Sequence, residues 1–372
     1  MQFAVPAMTN SSAETLDANN YPNIRVFSVG QGTSSKTPLN DLKTIQETWS
    51  VANATSVNNG NGFGIFSAVC WIFGREVFDG LGGSVPIGLI SSNWGGTPVE
   101  HWADPAAFAR CNRTDTDSTL YNAMVAPFVV GPMALTGFTW YQGEANTGSQ
   151  ATADAYACLF PSMIQSWRAA FKTPASAFFG YIELSTWCAG PAVSLLRDAQ
   201  YAAVTLQNAG FAVNADHGAG CNIHPPPKQF CAKRLAKSAL ALQYGQAVAW
   251  ISPSYASATA GAGSATIALT DVAAAGLVLL PSANAGTVNC TDAKTGAASC
   301  TWAALQFDDA AKSWVNATVG LTPDAQGIVL TAPPPAGATK VVATQYAYNA
   351  IPFMTVYRAD ADLPVRGWLR AV

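Results

Sequence analysis

Leu135-Thr136-Gly137-Phe138-Thr139-Trp140 is a β-rich run, Asp154 to Phe171 has the apolar spacing of a helix with an expected irregularity at Pro161, and Ala177 to Leu184 is a second β-rich run. Strand, helix and strand in that order make the unit from which parallel sheets are built. The same alternation extends in both directions. Upstream, Ile24 to Val29 reads as a strand, Gly64 to Leu81 as a helix with Ile65, Val69, Phe73, Val77 and Leu81 on one face, and Val85 to Ile90 as a buried strand. Downstream, Ala192 to Gln207 reads as a helix, Gly210 to Ala215 as a strand and Lys228 to Tyr244 as a helix. The expectation is an α/β domain over residues 1–250 with a doubly wound, largely parallel sheet and helices on both faces.

After about Ser252 the texture changes. Ala265 to Leu269, Gly276 to Leu280, Ser299 to Phe307, Ser313 to Val319, Gly327 to Leu330 and Lys340 to Tyr348 are short β-type runs separated by turn residues. They predict an antiparallel β-rich second domain over residues 251–372. Ala256 to Ala265 and Pro333-Pro334-Pro335 read as linker or loop.

Composition narrows the function classes. The 372 residues carry 19 Lys+Arg against 22 Asp+Glu, a formal charge of −3, which is no electrostatic footprint for nucleic acid. Only 11% of residues are charged and 49% are hydrophobic, so the chain has the apolar mass for a core. Phe128 to Phe138 and Val272 to Leu280 are too short to cross a bilayer, which needs about 18 apolar residues.

Eight cysteines and five N-x-Ser/Thr sequons, at Asn10, Asn53, Asn112, Asn289 and Asn316, point together to a secretory-pathway protein with three or four disulfides, secreted or lysosomal/vacuolar. No CxxC pair occurs, so no zinc site is expected, and the reading invokes no metal and no cofactor. Met1 to Pro6 has neither the basic start nor the apolar run of a signal peptide.

Ligands of a parallel sheet sit beyond the carboxyl ends of its strands, and the loops there carry the chemistry. Ser91-Ser92-Asn93-Trp94-Gly95-Gly96-Thr97-Pro98 follows one strand; its glycines, leading into an expected helix, offer backbone N–H groups to a developing oxyanion. Tyr141-Gln142-Gly143-Glu144-Ala145-Asn146 follows another and brings an amide and a carboxylate. Asp216 to Pro227 follows a third and holds two of the three histidines, His217 and His224. Three prolines pin His224 on one side, and a Cys221–Cys231 bridge is the expected brace on the other. His101 reads as structural. An oxyanion donor, an amide, an acid and a fixed imidazole suit acyl transfer, although no GxSxG elbow supplies a nucleophile.

At these loops the sequence resembles the sialate O-acetylesterase family of SGNH-type hydrolases, itself similar to carbohydrate acetylesterases acting on xylan. The resemblance rests on Tyr21 to Arg25, Phe66 to Val69, Gly88-Leu89-Ile90 through Trp94-Gly95-Gly96-Thr97, Trp140-Tyr141-Gln142-Gly143-Glu144, Ile223-His224-Pro225 and Tyr346-Ala347-Tyr348. It implies a flavodoxin-like sheet and removal of acetyl groups from sugar hydroxyls, without cofactor. In that family the nucleophilic serine lies in a Gly-Gln-Ser-Asn-Met segment after the first strand. Met1-Gln2-Phe3 resembles its continuation, which puts the serine two residues ahead of Met1 and makes the 372 residues alone inactive and poorly soluble. By the same resemblance His224 is the base, Gly95 the oxyanion-hole glycine beside Gly96 and Trp94, and Gln142 a second oxyanion donor. Glu144 is the first candidate for the triad acid and Asp216 the second, since Asn222 stands where many relatives have an acid. The rival reading is a glycan-binding pseudoesterase, with Trp94, Trp102, Trp140 and Trp187 as stacking platforms.

Overall fold

Ile24–Val29 forms strand β1, buried at five of six positions, the near-continuous apolar run of a strand covered on both faces. In this computed structural model, which describes residues 1–372 except 60–64, 116, 132, 175, 189, 191, 283 and 285–302, β1 pairs in parallel with β3 (Ile87–Ser91) from Ile24↔Ile87 to Ser28↔Ser91. On its other side β1 pairs antiparallel with β2 (Ile45–Val51). A second three-stranded ladder is wholly parallel, in the order β4 (Gly137–Trp140), β5 (Phe178–Ile182), β6 (Ala209–Ala212). The expected doubly wound sheet is thus present as two ladders, with β3 and β4 each ending one of them.

These ladders belong to a first unit made of Met1–Leu184, Gly190–Ala212 and His224–Val248. Its helices are α1 (Ser11–Asp17), α2 (Ala68–Gly80), α3 (Pro105–Arg110), α4 (Ala126–Val130), α5 (Gln150–Ala170), α6 (Val193–Tyr201) and α7 (Lys228–Leu242). The helix expected from Gly64 starts at Ala68, because the Ser67 side chain accepts the Cys70 N–H and caps it; Gly64 itself lies outside the described residues. A Ser149/Thr152 capping box starts α5, which runs unbroken across Pro161. An interior proline costs about 3 kcal/mol. Burial of Leu159, Phe160, Met163 and Ile164 around it offsets that cost. Helices α2 and α7 meet β5 in an apolar cluster of Val77, Phe178, Ala236 and Ala239.

The second unit comprises Ser185–Ala189, Val213–Ile223 and Ala249–Val372. Its strands are β7 (Ser254–Ala260), β8 (Ser264–Thr270), β9 (Leu277–Leu279), β10 (Ala303–Phe307), β11 (Trp314–Asn316), β12 (Thr318–Leu321), β13 (Gly327–Thr331), β14 (Val341–Tyr346), β15 (Val356–Arg358) and β16 (Trp368–Ala371). They pair antiparallel in the orders β12-β13-β8-β7, β11-β10-β14-β16 and β15-β9. Ala256 to Ala265, expected as linker, is instead most of the β7–β8 hairpin. Its small residues carry almost no β signal, and the ladder from Ser254↔Thr270 to Ala260↔Ala265 supplies what propensity lacks.

Two disulfides are present among the described residues, Cys111–Cys158 and Cys188–Cys221. The expected Cys221–Cys231 bridge is not formed. Cys231 lies in the first turn of α7, fully buried, with its thiol donating to the Lys228 carbonyl at 3.3 Å. Cys70 is a buried free thiol, and Cys290, Cys300 and Asn289 lie outside the described residues.

Candidate active site

Three segments of the first unit converge on residues 1–3. After β3, the turn at Trp94-Gly95-Gly96 presents its backbone: the Gly95 N–H donates to Gln2 Oε1, and Gly96 takes φ +74°, a left-handed conformation that favours glycine. A Cβ at Gly95 would collide with the Gln2 side chain. No α-helix starts here. A single tight turn at Val99–His101 follows, so the Gly95 N–H works without the helix dipole the sequence suggested.

After β4, the Tyr141 carbonyl accepts from the Met1 amino group at 2.8 Å, and Gly143 turns the chain at φ +148°. The Gln142 carbonyl is held by Gln200 Nε2 at 2.9 Å, which fixes the start of the Gln142–Asn146 turn. In its side chain, Gln142 Nε2 donates to Thr97 O at 3.0 Å and to Asn146 Oδ1 at 2.8 Å. Both amide hydrogens are therefore engaged. Gln142 Oε1 is buried with no hydrogen-bond partner among the described residues. The expected second oxyanion donor thus has both of its hydrogens on protein acceptors.

Before α7, the His224 ring lies 6.3 Å from the Phe3 ring, centre to centre. His224 is exposed, whereas Pro225 is buried and the Pro226 carbonyl accepts from Thr9 N at 3.0 Å and Lys228 N at 2.8 Å, which anchors the segment behind the imidazole. Lys228 is 2% exposed, with its ammonium 4.6 Å from the centre of the Phe3 ring and 4.9 Å from that of Tyr141.

Loss of hydration lowers the His224 pKa, and the positive charge of Lys228 acts the same way while the Glu144 carboxylate opposes it. The imidazole is consequently neutral at neutral pH, the form a general base requires. Burial likewise lowers the Lys228 pKa, with Cys231 and Glu144 opposing. Glu144 is half-buried and is the carboxylate whose charge reaches both His224 and Lys228.

Asp216, the second candidate acid, is fully buried in the second unit, where Tyr357 Oη donates to it at 3.0 Å and His217 Nε2 lies at 3.4 Å. Asp216, His217 and Asp362 bring possible metal-ligand atoms within 4.8 Å of one another, but Asp216 already serves Tyr357. His101 pairs with Asp117 at 3.0 Å, in keeping with a structural role. Trp102 and Trp140 are buried against each other, edge to face at 6.1 Å, and belong to the core, whereas Trp94 and Trp187 are half-buried. Lys228 and Asn146 were not singled out by sequence. A lysine four positions after a histidine and an asparagine in a turn carry no signal until their neighbours are known.

The family model described as carbohydrate esterase, sialic acid-specific acetylesterase matches residues 33–233, more than half of the chain. The chain belongs to this family. Among its relatives, the sialate O-acetylesterase of Rattus norvegicus is 32% identical over 306 residues, covering 66% of this chain and 55% of the relative. The sialate O-acetylesterase of Pongo abelii is 34% identical over 280 residues, covering 66% of this chain and 52% of the relative. The chain spans about half the length of these curated relatives. A carbohydrate acetylesterase from Xanthomonas citri of known crystal structure shares the fold with a TM-score of 0.80 and 25% identity, covering 100% of this chain and 78% of that one. This member of the acetylesterase family has a mixed α/β fold with a parallel ladder and an antiparallel β-rich region.

Proposed function

We propose that the protein is a carbohydrate O-acetylesterase working by serine acyl transfer. The observation that carries this reading is the meeting of three loops on residues 1–3: Gly95 N–H on Gln2, the Tyr141 carbonyl on Met1, and the His224 ring on Phe3. A serine two residues ahead of Met1, as the family resemblance places it, enters between the base and the oxyanion donor. Its Oγ attacks the acetyl carbonyl carbon while His224 takes the hydroxyl proton, and the Gly95 N–H exchanges Gln2 Oε1 for the tetrahedral oxyanion. His224 then passes its proton to the departing sugar oxygen. Water attacks the acetyl-serine and gives one proton to His224, which returns it to the serine Oγ as the acyl C–O bond breaks, and acetic acid leaves and ionises to acetate in solvent. The Glu144 charge stabilises the imidazolium formed in each step, the role of the third triad member.

A general base contributes about 100- to 10,000-fold and one oxyanion donor about 100- to 1,000-fold. The test is acetate release from mono-O-acetyl sugars by protein carrying the residues ahead of Met1. O-acetyl-N-acetylneuraminic acid and acetylated xylose, compared side by side, decide the sugar class. Sugar affinity without acetate release supports the pseudoesterase instead.

The setting fits a secretory compartment, secreted or lysosomal. Disulfides persist where the medium is oxidising, and Asn10, Asn112 and Asn316 are exposed. Asn53 is half-buried, and its Oδ1 accepts from the Thr55 and Ser56 N–H groups.

A further inference from the structure

Asn146 is 4% exposed and makes three hydrogen bonds through one amide. Its Oδ1 accepts from the Val99 N–H at 3.0 Å and from Gln142 Nε2 at 2.8 Å, and its Nδ2 donates to Glu100 Oε2 at 2.9 Å. Arg113 donates to the other Glu100 oxygen at 3.0 Å, so the carboxylate is fixed as an acceptor. Two backbone groups settle which way both amides face. A backbone N–H can only donate, so Asn146 turns its oxygen to Val99. That oxygen then requires the nitrogen of Gln142, which also satisfies the Thr97 carbonyl, a group that can only accept.

The chain of bonds continues to the proposed oxyanion donor. Thr97 Oγ1 accepts from Trp102 Nε1 at 2.9 Å and donates to the Trp94 carbonyl at 2.6 Å. The Trp94 carbonyl and the Gly95 N–H belong to one planar peptide, so a bond that fixes the first fixes the direction of the second. Gly95, with no Cβ, would otherwise leave that plane freer to rotate about its own φ.

We propose that Asn146 is a positioning residue, which sets the direction of the Gly95 N–H through Gln142 and Thr97. The proposal rests on the reading of Gly95 as oxyanion donor. Gln142 is in this account a strut, and its buried, unpartnered Oε1 is the cost of keeping its nitrogen toward Thr97 and Asn146.

The test uses Asn146→Leu, Gln142→Leu, Thr97→Val and Thr97→Ser in protein carrying the residues ahead of Met1. The substrate is 4-nitrophenyl acetate, with rates counted per site titrated by an organophosphate. Asn146→Leu and Thr97→Val lower kcat about 10- to 100-fold with little change in KM. Thr97→Ser, which keeps the hydroxyl, stays near wild type. The double variant Asn146→Leu/Thr97→Val is no slower than the worse single one, because both break the same chain. Losses that multiply, a loss confined to the number of titratable sites, or a Gln142→Leu loss far larger than that of Asn146→Leu would overturn the proposal. If wild type shows no turnover, the esterase reading fails. Amide exchange then decides the linkage alone: the Gly95 amide exchanges faster in Asn146→Leu if it holds and at the wild-type rate if it does not.

Discussion

The Lys228 ammonium stands 4.9 Å from the centre of the Tyr141 ring, the first residue after β4, and so joins the start of α7 to the loop that carries Glu144. A buried cation on two aromatic faces, one carboxylate and one exposed imidazole form a single electrostatic group. Its behaviour with pH follows from the signs of these couplings.

Lys228→Met removes a positive neighbour of His224, so the imidazole pKa rises from its lowered value toward the usual one near 6.5. NMR titration of the His224 ring in protein carrying the residues ahead of Met1 measures this directly. In the wild type the folded value lies below the unfolded one, so the stability due to the neutral ring is present above the unfolded pKa and is lost as pH falls from there through the folded pKa. Lys228→Met shrinks that acid-side loss. An unchanged or lower His224 pKa would show that the ammonium does not act on the ring.

Glu144→Gln removes the charge that favours the imidazolium. The His224 pKa falls further, opposite in sign to Lys228→Met, and kcat/KM falls with it on every acetyl ester tested. Asp216→Asn, which removes the charge of Tyr357's buried acceptor, lowers the melting temperature more than it shifts the His224 titration. A reversed pattern would transfer the role of acid to Asp216.

The Cys111–Cys158 bridge closes a span of 47 residues between the end of α3 and α5. Chain entropy alone assigns such a loop about 4 kcal/mol. Replacing both cysteines by serine lowers unfolding stability by about 2 to 4 kcal/mol in denaturant titration and leaves the His224 resonance in place. Peptide mapping of the non-reduced protein checks the pairing itself, with Cys188–Cys221 expected in place of Cys221–Cys231.

Phe160 is fully buried among Trp140, Tyr156, Phe179 and Tyr181, with ring centres 5.3 to 6.1 Å away. Phe160→Ala leaves a cavity between α5 and the parallel ladder and costs about 3 to 5 kcal/mol, read as a shift of the unfolding midpoint. A loss under 1 kcal/mol would mean that α5 does not seal the ladder as described.

The sequence located β1 to the residue because Ile24, Val26, Phe27 and Val29 are bulky, apolar and bounded by turns. It passed over β2, since Gln46, Glu47, Thr48 and Ser50 read as loop until the β1 edge pairs with them. The start of α2 was misplaced because Ser67 signals a cap only once its neighbour Cys70 is known to be helical. At the site, the residue types and their loops were legible, since polar groups after buried strands stand out from an apolar background. Directions were not. Gln142 reads as a donor in any one-dimensional inspection, and only its bonds to Thr97 and Asn146 show that both hydrogens are engaged. Disulfide partners were equally hidden, since spacing along the chain does not say that Cys221 meets Cys188 rather than Cys231.

The most direct test of the central claim is acetate release from O-acetylated sugars by protein carrying the residues ahead of Met1, measured beside its His224→Ala variant. The account predicts steady release by the wild type and a fall of about 100- to 10,000-fold in the variant, with sugar affinity retained. Equal rates in the two proteins, or a wild type that binds the sugars and releases no acetate, would contradict it.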